Sequence, residues 1–179
     1  MTIVVCAYFN PFGSVGREKA FHQFRRALDS SDVRHLCVEQ ALPGVGRVSR
    51  RGDICVPSGE LLWQKECLLQ IGIDEALARG EGQIVVTDAD LLFTTPDAWE
   101  RISATFEEFD WFQPFETVSL GYAEGTICKK SALSYPDPVR YGAGHSGCAW
   151  AGTDLFFRTV RLYPFALLGG GDVVMSMST

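Results

Sequence analysis

The sequence has no basic surplus. Its 179 residues carry a net charge of −6, which argues against a nucleic-acid partner. It has no CxxC pair either. The six cysteines, Cys6, Cys37, Cys55, Cys67, Cys128 and Cys148, show neither zinc-type spacing nor a dense disulfide framework, and most sit among apolar neighbours. They read as buried, reduced thiols of a cytoplasmic protein. No apolar run approaches the roughly 20 residues that cross a bilayer, so no transmembrane segment is expected. The opening MTIVVCAYFN has no basic leader and meets polar Asn10 too soon for a signal peptide. Internal repeats, low-complexity tracts and interdomain linkers are also missing, and the length fits one domain with a sizeable core. At 46% apolar and 21% charged residues the composition is that of an ordinary soluble globular protein. Its charge is uneven: Lys and Arg exceed Asp and Glu over residues 1–51, and the reverse holds from 52 onward. Such a division suits either an anionic nucleotide beside a divalent cation or plain solvated surface.

Strand and helix signals alternate along the chain. Ile3 to Tyr8 is nearly all apolar and stops at Asn10-Pro11, with Gly13 following, a dense turn signal. Phe21, Phe24 and Leu28 recur at helical spacing within a helix from about Gly16 to Asp29. A strand over Arg34 to Glu39 follows, and a short one near Asp53 to Val56. Ser58 is the expected N-cap of a long helix from Glu60 to Arg79, with Trp63, Cys67 and Ile71 on its apolar stripe and Gly80 ending it. Thr95-Pro96-Asp97 reads as cap, proline and acidic first turn of a helix to Phe109, buried through Trp99, Ile102, Phe106 and Phe109. Beyond Asp110 the expected elements are short: strands at Trp111-Phe112, Thr126 to Lys130 and Cys148 to Ala151, then a helix capped by Thr153 or Asp154. Alternation of this kind implies an α/β fold with a mostly parallel sheet.

The most informative stretch is IVVTDADLLF. A continuous apolar run of this length is a buried parallel strand, and in open α/β sheets ligands sit just beyond the strand's carboxyl end. Asp88 and Asp90 fall there. Two hard oxygen donors in one short turn suit Mg²⁺ or Mn²⁺, although a strand-end acid followed by a solvated turn residue would look the same. Two glycine-rich clusters follow, GAGHSGCAWAG at 142–152 and LLGGGD at 167–172. Gly169 to Gly171 mark close backbone approach or a tight turn. Asp172 after them is either a helix N-cap or a general base within reach of a substrate hydroxyl. His145 is a core or turn histidine, or a neutral imidazole completing an aspartate-based metal set. His22 and His35 read as surface residues.

The order of these motifs, a first strand ending in YFN, the helix LLWQKECLLQIGIDEA, a strand ending in DAD, then GHSGCAWA and GGGD, resembles nucleotide-sugar glycosyltransferases of the GT-A fold. The likeness is greatest to bacterial and phage members related to the galactosyltransferase group. It implies a single GT-A, Rossmann-like three-layer α/β/α domain spanning residues 1–179; such enzymes usually continue past GGxD, which leaves a truncated, a naturally short and a degenerate version as alternatives. It implies metal-dependent transfer of a hexosyl group from a nucleoside-diphosphate sugar to a carbohydrate or other hydroxyl acceptor. On this resemblance Asp90 is a direct Mn²⁺ or Mg²⁺ ligand and Asp88 is a ligand or ribose partner. Tyr8, Phe9 and Asn10 contact the base, and Lys65 faces the nucleotide, although an exposed salt-bridging lysine is the alternative. His145 and Trp150 bind the acceptor, and Asp172 takes its proton, which makes the reaction inverting. Three other readings compete. A GT-A-like protein could bind nucleotide sugars without efficient transfer. A haloacid-dehalogenase-type phosphatase places its acids on the first strand and wants Thr or Val where Leu92 stands. A sugar nucleotidyltransferase would rest on the lone Gly44-Val45-Gly46-Arg47.

Overall fold

A computed structural model describes residues 2–122, 125–134 and 144–163. Strands β1 (Thr2–Phe9), β2 (Arg34–Ala41), β3 (Ile54–Pro57) and β4 (Gln83–Asp88) run parallel. Strands β5 (Trp111–Phe112) and β8 (Ala149–Thr153) complete a six-stranded sheet of order β3-β2-β1-β4-β8-β5. In it β8 lies antiparallel to both of its neighbours. A separate hairpin pairs β6 (Thr117–Tyr122) with β7 (Gly125–Lys130). The helices are α1 (Val15–Ser30), α2 (Lys65–Ala78), α3 (Ala98–Thr105) and α4 (Asp154–Thr159).

Alternation along β1 builds the three layers. Ile3, Val5 and Ala7 pack with Leu68, Leu69, Ile73 and Ala76 of α2 and Phe157 of α4. Val4, Cys6 and Tyr8 pack with Phe21, Phe24 and Leu28 of α1 and Ile102 of α3. A strand covered on both faces has no polar side, which is why its sequence reads as an unbroken apolar run. Each fully buried Phe or Leu contributes about 1.5–3 kcal/mol. The domain is therefore a mixed α/β, Rossmann-like sandwich with a mostly parallel central sheet. Among the described residues no helix is long and apolar enough to cross a membrane.

Several elements depart from expectation. Helix α2 begins at Lys65, not Glu60. The Gln40 side-chain amide donates to the Glu60 carbonyl (3.0 Å) and the Leu62 carbonyl (3.2 Å), so this segment's carbonyls serve a neighbouring strand. Ser58 does not cap the helix; its hydroxyl accepts from the Glu60 amide at 3.0 Å. The buried stripe is Leu68, Leu69, Gly72, Ile73 and Ala76, while Ile71 is exposed. Helix α3 stops at Thr105, leaving Phe109 54% exposed. Strand β6 carried no clear signal. Cys6, Cys37 and Cys148 are buried as expected, but Cys128 is exposed on the hairpin. The glycine cluster 167–172 lies outside the described residues, and so does Asp172.

Candidate functional site

Chain order against spatial order locates the site. From β1 the chain steps to β2 and β3 on one side, and β4 then returns to the other side of β1. A crevice opens at such a reversal, because the connections leaving the two strands part in opposite directions. Ala7 pairs with Asp88 across this junction. Beyond it, Tyr8 and Phe9 extend β1 while residues 88–91 fold back, the Leu91 amide donating to the Asp88 carbonyl at 3.3 Å. Asp88 and Asp90 thus occupy the first and third positions of one tight turn. The Asp88 amide donates to the Cys148 carbonyl at 2.7 Å, fastening that turn to the segment before β8.

A cleft of about 330 Å³ sits at this point, lined by Ala7, Tyr8, Phe9, Arg17, Trp63, Lys65, Asp88, Ala89 and Asp90. Five of the residues expected at the site, Tyr8, Phe9, Lys65, Asp88 and Asp90, are gathered here. Lys65 Nζ lies 2.5 Å from Asp88 Oδ1, the two side chains being 18% and 34% exposed. Burial, and next the charge on Asp88, push the Asp90 carboxyl above its ordinary value of 3.8, although the residue keeps an open face to solvent. Burial likewise raises the Tyr8 phenol. The Tyr8 hydroxyl is enclosed without a hydrogen-bond partner among the described residues. Asn10 approaches it, but the Asn10 amide is spent on Ser14, accepting from its backbone nitrogen at 2.8 Å and donating to its carbonyl at 3.0 Å.

Arg17 and Trp63 belong to the cleft but were not singled out from the sequence as site residues. The Arg17 guanidinium donates to the Phe9 carbonyl at 2.7 Å, and Trp63 stacks on Phe9. A signal for Arg17 was present. Arg17 and Lys65 lie in the first turns of α1 and α2, where the helix dipole disfavours cations unless an anion is close. Both helix starts border the cleft and add their own partial positive charge there.

Three expectations are corrected. Trp150 is 1% exposed, stacks on Trp111 with ring centroids 4.6 Å apart, and donates its indole N–H to the Ser146 carbonyl at 2.8 Å. It is a core residue with no surface to offer an acceptor. Asn10 is a turn clasp and is absent from the cleft wall. His145 is held through its backbone, donating to the Lys130 carbonyl at 2.8 Å and accepting from Ala132 at 3.2 Å. Among the described residues no group of three or more His, Cys, Asp or Glu side chains is placed to hold a metal. His145 therefore does not join Asp88 and Asp90.

The acid pair still fits a divalent cation by its own chemistry. Both donors are hard carboxylates in one turn, and Mg²⁺ or Mn²⁺ is commonly bound through one or two carboxylates while keeping several waters. The second, larger cleft, about 620 Å³ around Arg25, Arg34, Arg50 and Arg79, does not compete as an anion site. Those four arginines already pair with Asp53, Glu81, Asp29 and Glu75 respectively, and Arg51, which also lines the cleft, is exposed to solvent. That network holds residues 48–53 against α1 and β2.

The chain matches no family model and no curated protein. Among solved structures it is similar to a protein described as mannose-1-phosphate geranyltransferase from Thermus thermophilus, with 17% identity and a TM-score of 0.45. That likeness covers 98% of this chain and 63% of the other, so this chain spans less than two thirds of its neighbour's length.

Proposed function

We propose that this chain is a GT-A-type glycosyltransferase, dependent on Mn²⁺ or Mg²⁺, that moves a sugar from a nucleoside-diphosphate sugar to an acceptor hydroxyl with inversion. The observation that carries this reading is the meeting of Asp88, Asp90, Arg17 and Lys65 in one cleft at the β1/β4 reversal. Asp88 and Asp90 would hold the cation, which when bound supplies Lewis-acid neutralisation of charge growing on the departing nucleoside diphosphate. The protein's own groups do the rest. Arg17 and Lys65 bind phosphate oxygens through charge-assisted hydrogen bonds. Trp63, backed by the buried Phe9 ring, gives the base an aromatic wall. His145 orients the acceptor, and Asp172 accepts the proton of the attacking hydroxyl.

The test is thermal stabilisation by a panel of nucleoside-diphosphate sugars with Mn²⁺, alongside release of nucleoside diphosphate. Stabilisation with acceptor-dependent release is expected. Stabilisation without release would make the protein a binding module, and hydrolysis of a phosphomonoester would make it a phosphatase. The variant Asp172→Asn is expected to keep donor-induced stabilisation and lose transfer; loss of both would reassign Asp172 to a structural cap.

A further inference from the structure

The charges lining the cleft cancel: Arg17 and Lys65 stand against Asp88 and Asp90. They are not equally placed. Arg17 is pinned to the Phe9 carbonyl, whereas the Lys65 ammonium, on a flexible four-carbon stem, sits on Asp88 Oδ1 at 2.5 Å. A divalent cation arriving alone would meet a carboxylate that already has a cation on it, and two like charges at such range repel. A diphosphate arriving first offers the ammonium another anionic oxygen acceptor. We infer that Lys65 is an internal cation that masks Asp88 in the unliganded protein and hands over to phosphate, so that the diphosphate opens the metal site. This rests on the reading of the cleft as a nucleotide-sugar site and adds an order of binding to it.

Lysine at the first position of a helix is electrostatically unfavourable. The pair with Asp88 supplies a local reason for its presence there. The arrangement gives Lys65 effects of opposite sign on two ligands. It opposes Mn²⁺ alone and favours diphosphate alone. A residue that merely props up the cleft would, when removed, weaken both.

The experiment measures binding of Mn²⁺ alone, and of inorganic pyrophosphate in EDTA, to the full chain and to Lys65→Met. The variant is expected to bind Mn²⁺ on the order of tenfold more tightly and pyrophosphate on the order of tenfold more weakly. Lys65→Arg, which keeps the charge, is expected to follow wild type in both. Unchanged or weakened Mn²⁺ binding in Lys65→Met overturns the handover while leaving the nucleotide-sugar reading intact, provided wild type binds pyrophosphate with Mn²⁺. Wild type that binds neither ligand, together or apart, overturns both. If Lys65→Met does not fold, the wild-type Lys65 ammonium resonance decides. A shift on adding metal-free pyrophosphate supports the handover, and no shift contradicts it.

Discussion

Trp63 lies face to face with Phe9, their ring centroids 5.4 Å apart and their planes 6° from parallel. Phe9 ends β1 and Trp63 stands just before α2, so the stack closes the cleft wall between the sheet edge and the start of that helix. A base would find its flat apolar surface there, beside the cations that suit its phosphates.

Trp63→Ala is expected to lower affinity for a nucleoside diphosphate in the presence of Mn²⁺ by tenfold or more, since a base–aromatic stack contributes about 1–3 kcal/mol. Pyrophosphate, which has no base, should bind the variant as it binds wild type. Calorimetric titration with both ligands checks this, and an equal loss for the two would place Trp63 in the framework alone.

The ion pair between Arg25 and Asp53 is 1% and 6% exposed. Asp53 also accepts from the Cys37 amide at 3.1 Å and the Arg50 amide at 2.6 Å. Asp53→Ala would strand the guanidinium in the core and leave two amides unpaired, a loss of about 3–5 kcal/mol. Denaturant unfolding should show that loss, while ligand binding at the other end of the sheet stays unchanged under native conditions.

Gly72 is where α2 rests on the sheet. A Cβ there would stand 2.4 Å from Val5 Cγ1 and 3.0 Å from Val38 Cγ2, two fully buried side chains with little freedom to move. Although alanine favours helix, Gly72→Ala is expected to destabilise by about 1–3 kcal/mol through overpacking. A raised thermal midpoint would contradict the close approach.

The acid pair and the first strand were legible because a strand buried on both faces leaves an unbroken apolar run, and Asp88 and Asp90 follow such a run directly. What local pattern could not show was competition from distant partners. Glu60-Leu61-Leu62-Trp63 has helical character, yet Gln40 takes the Glu60 and Leu62 carbonyls and Phe9 takes the indole. Phe109 looks like another turn of a buried stripe, but α3 has already ended and the ring stays 54% exposed. Trp150 read as a site residue because it follows GHSGCA. Its place opposite Val86 in the central sheet buries it instead. Arg17 was not singled out from the sequence, because its neighbourhood with the aspartates is made by the three-dimensional reversal at β1 and β4.

Asp90 gives the pH dependence a sign. Its folded value lies above its ordinary one because of burial first and Asp88 second, so ionising it costs stability. That cost is fully present above the folded value and disappears below the ordinary value of 3.8. Metal-free Asp90→Asn is therefore expected to melt above wild type at neutral pH, with the gap closing on acidification through the window between those values. Paired melting curves across that range check it, and a gap that widens toward acid would contradict the assignment.

On the proposed function, Asp88 and Asp90 would hold a divalent cation that supplies charge neutralisation beside a nucleotide's phosphates. Titration of nucleoside diphosphate into wild type and Asp90→Asn, each with and without Mn²⁺, tests it most directly. Wild type should gain affinity with Mn²⁺, and a folded Asp90→Asn should gain none. Equal Mn²⁺-dependent affinity in both proteins would contradict the account.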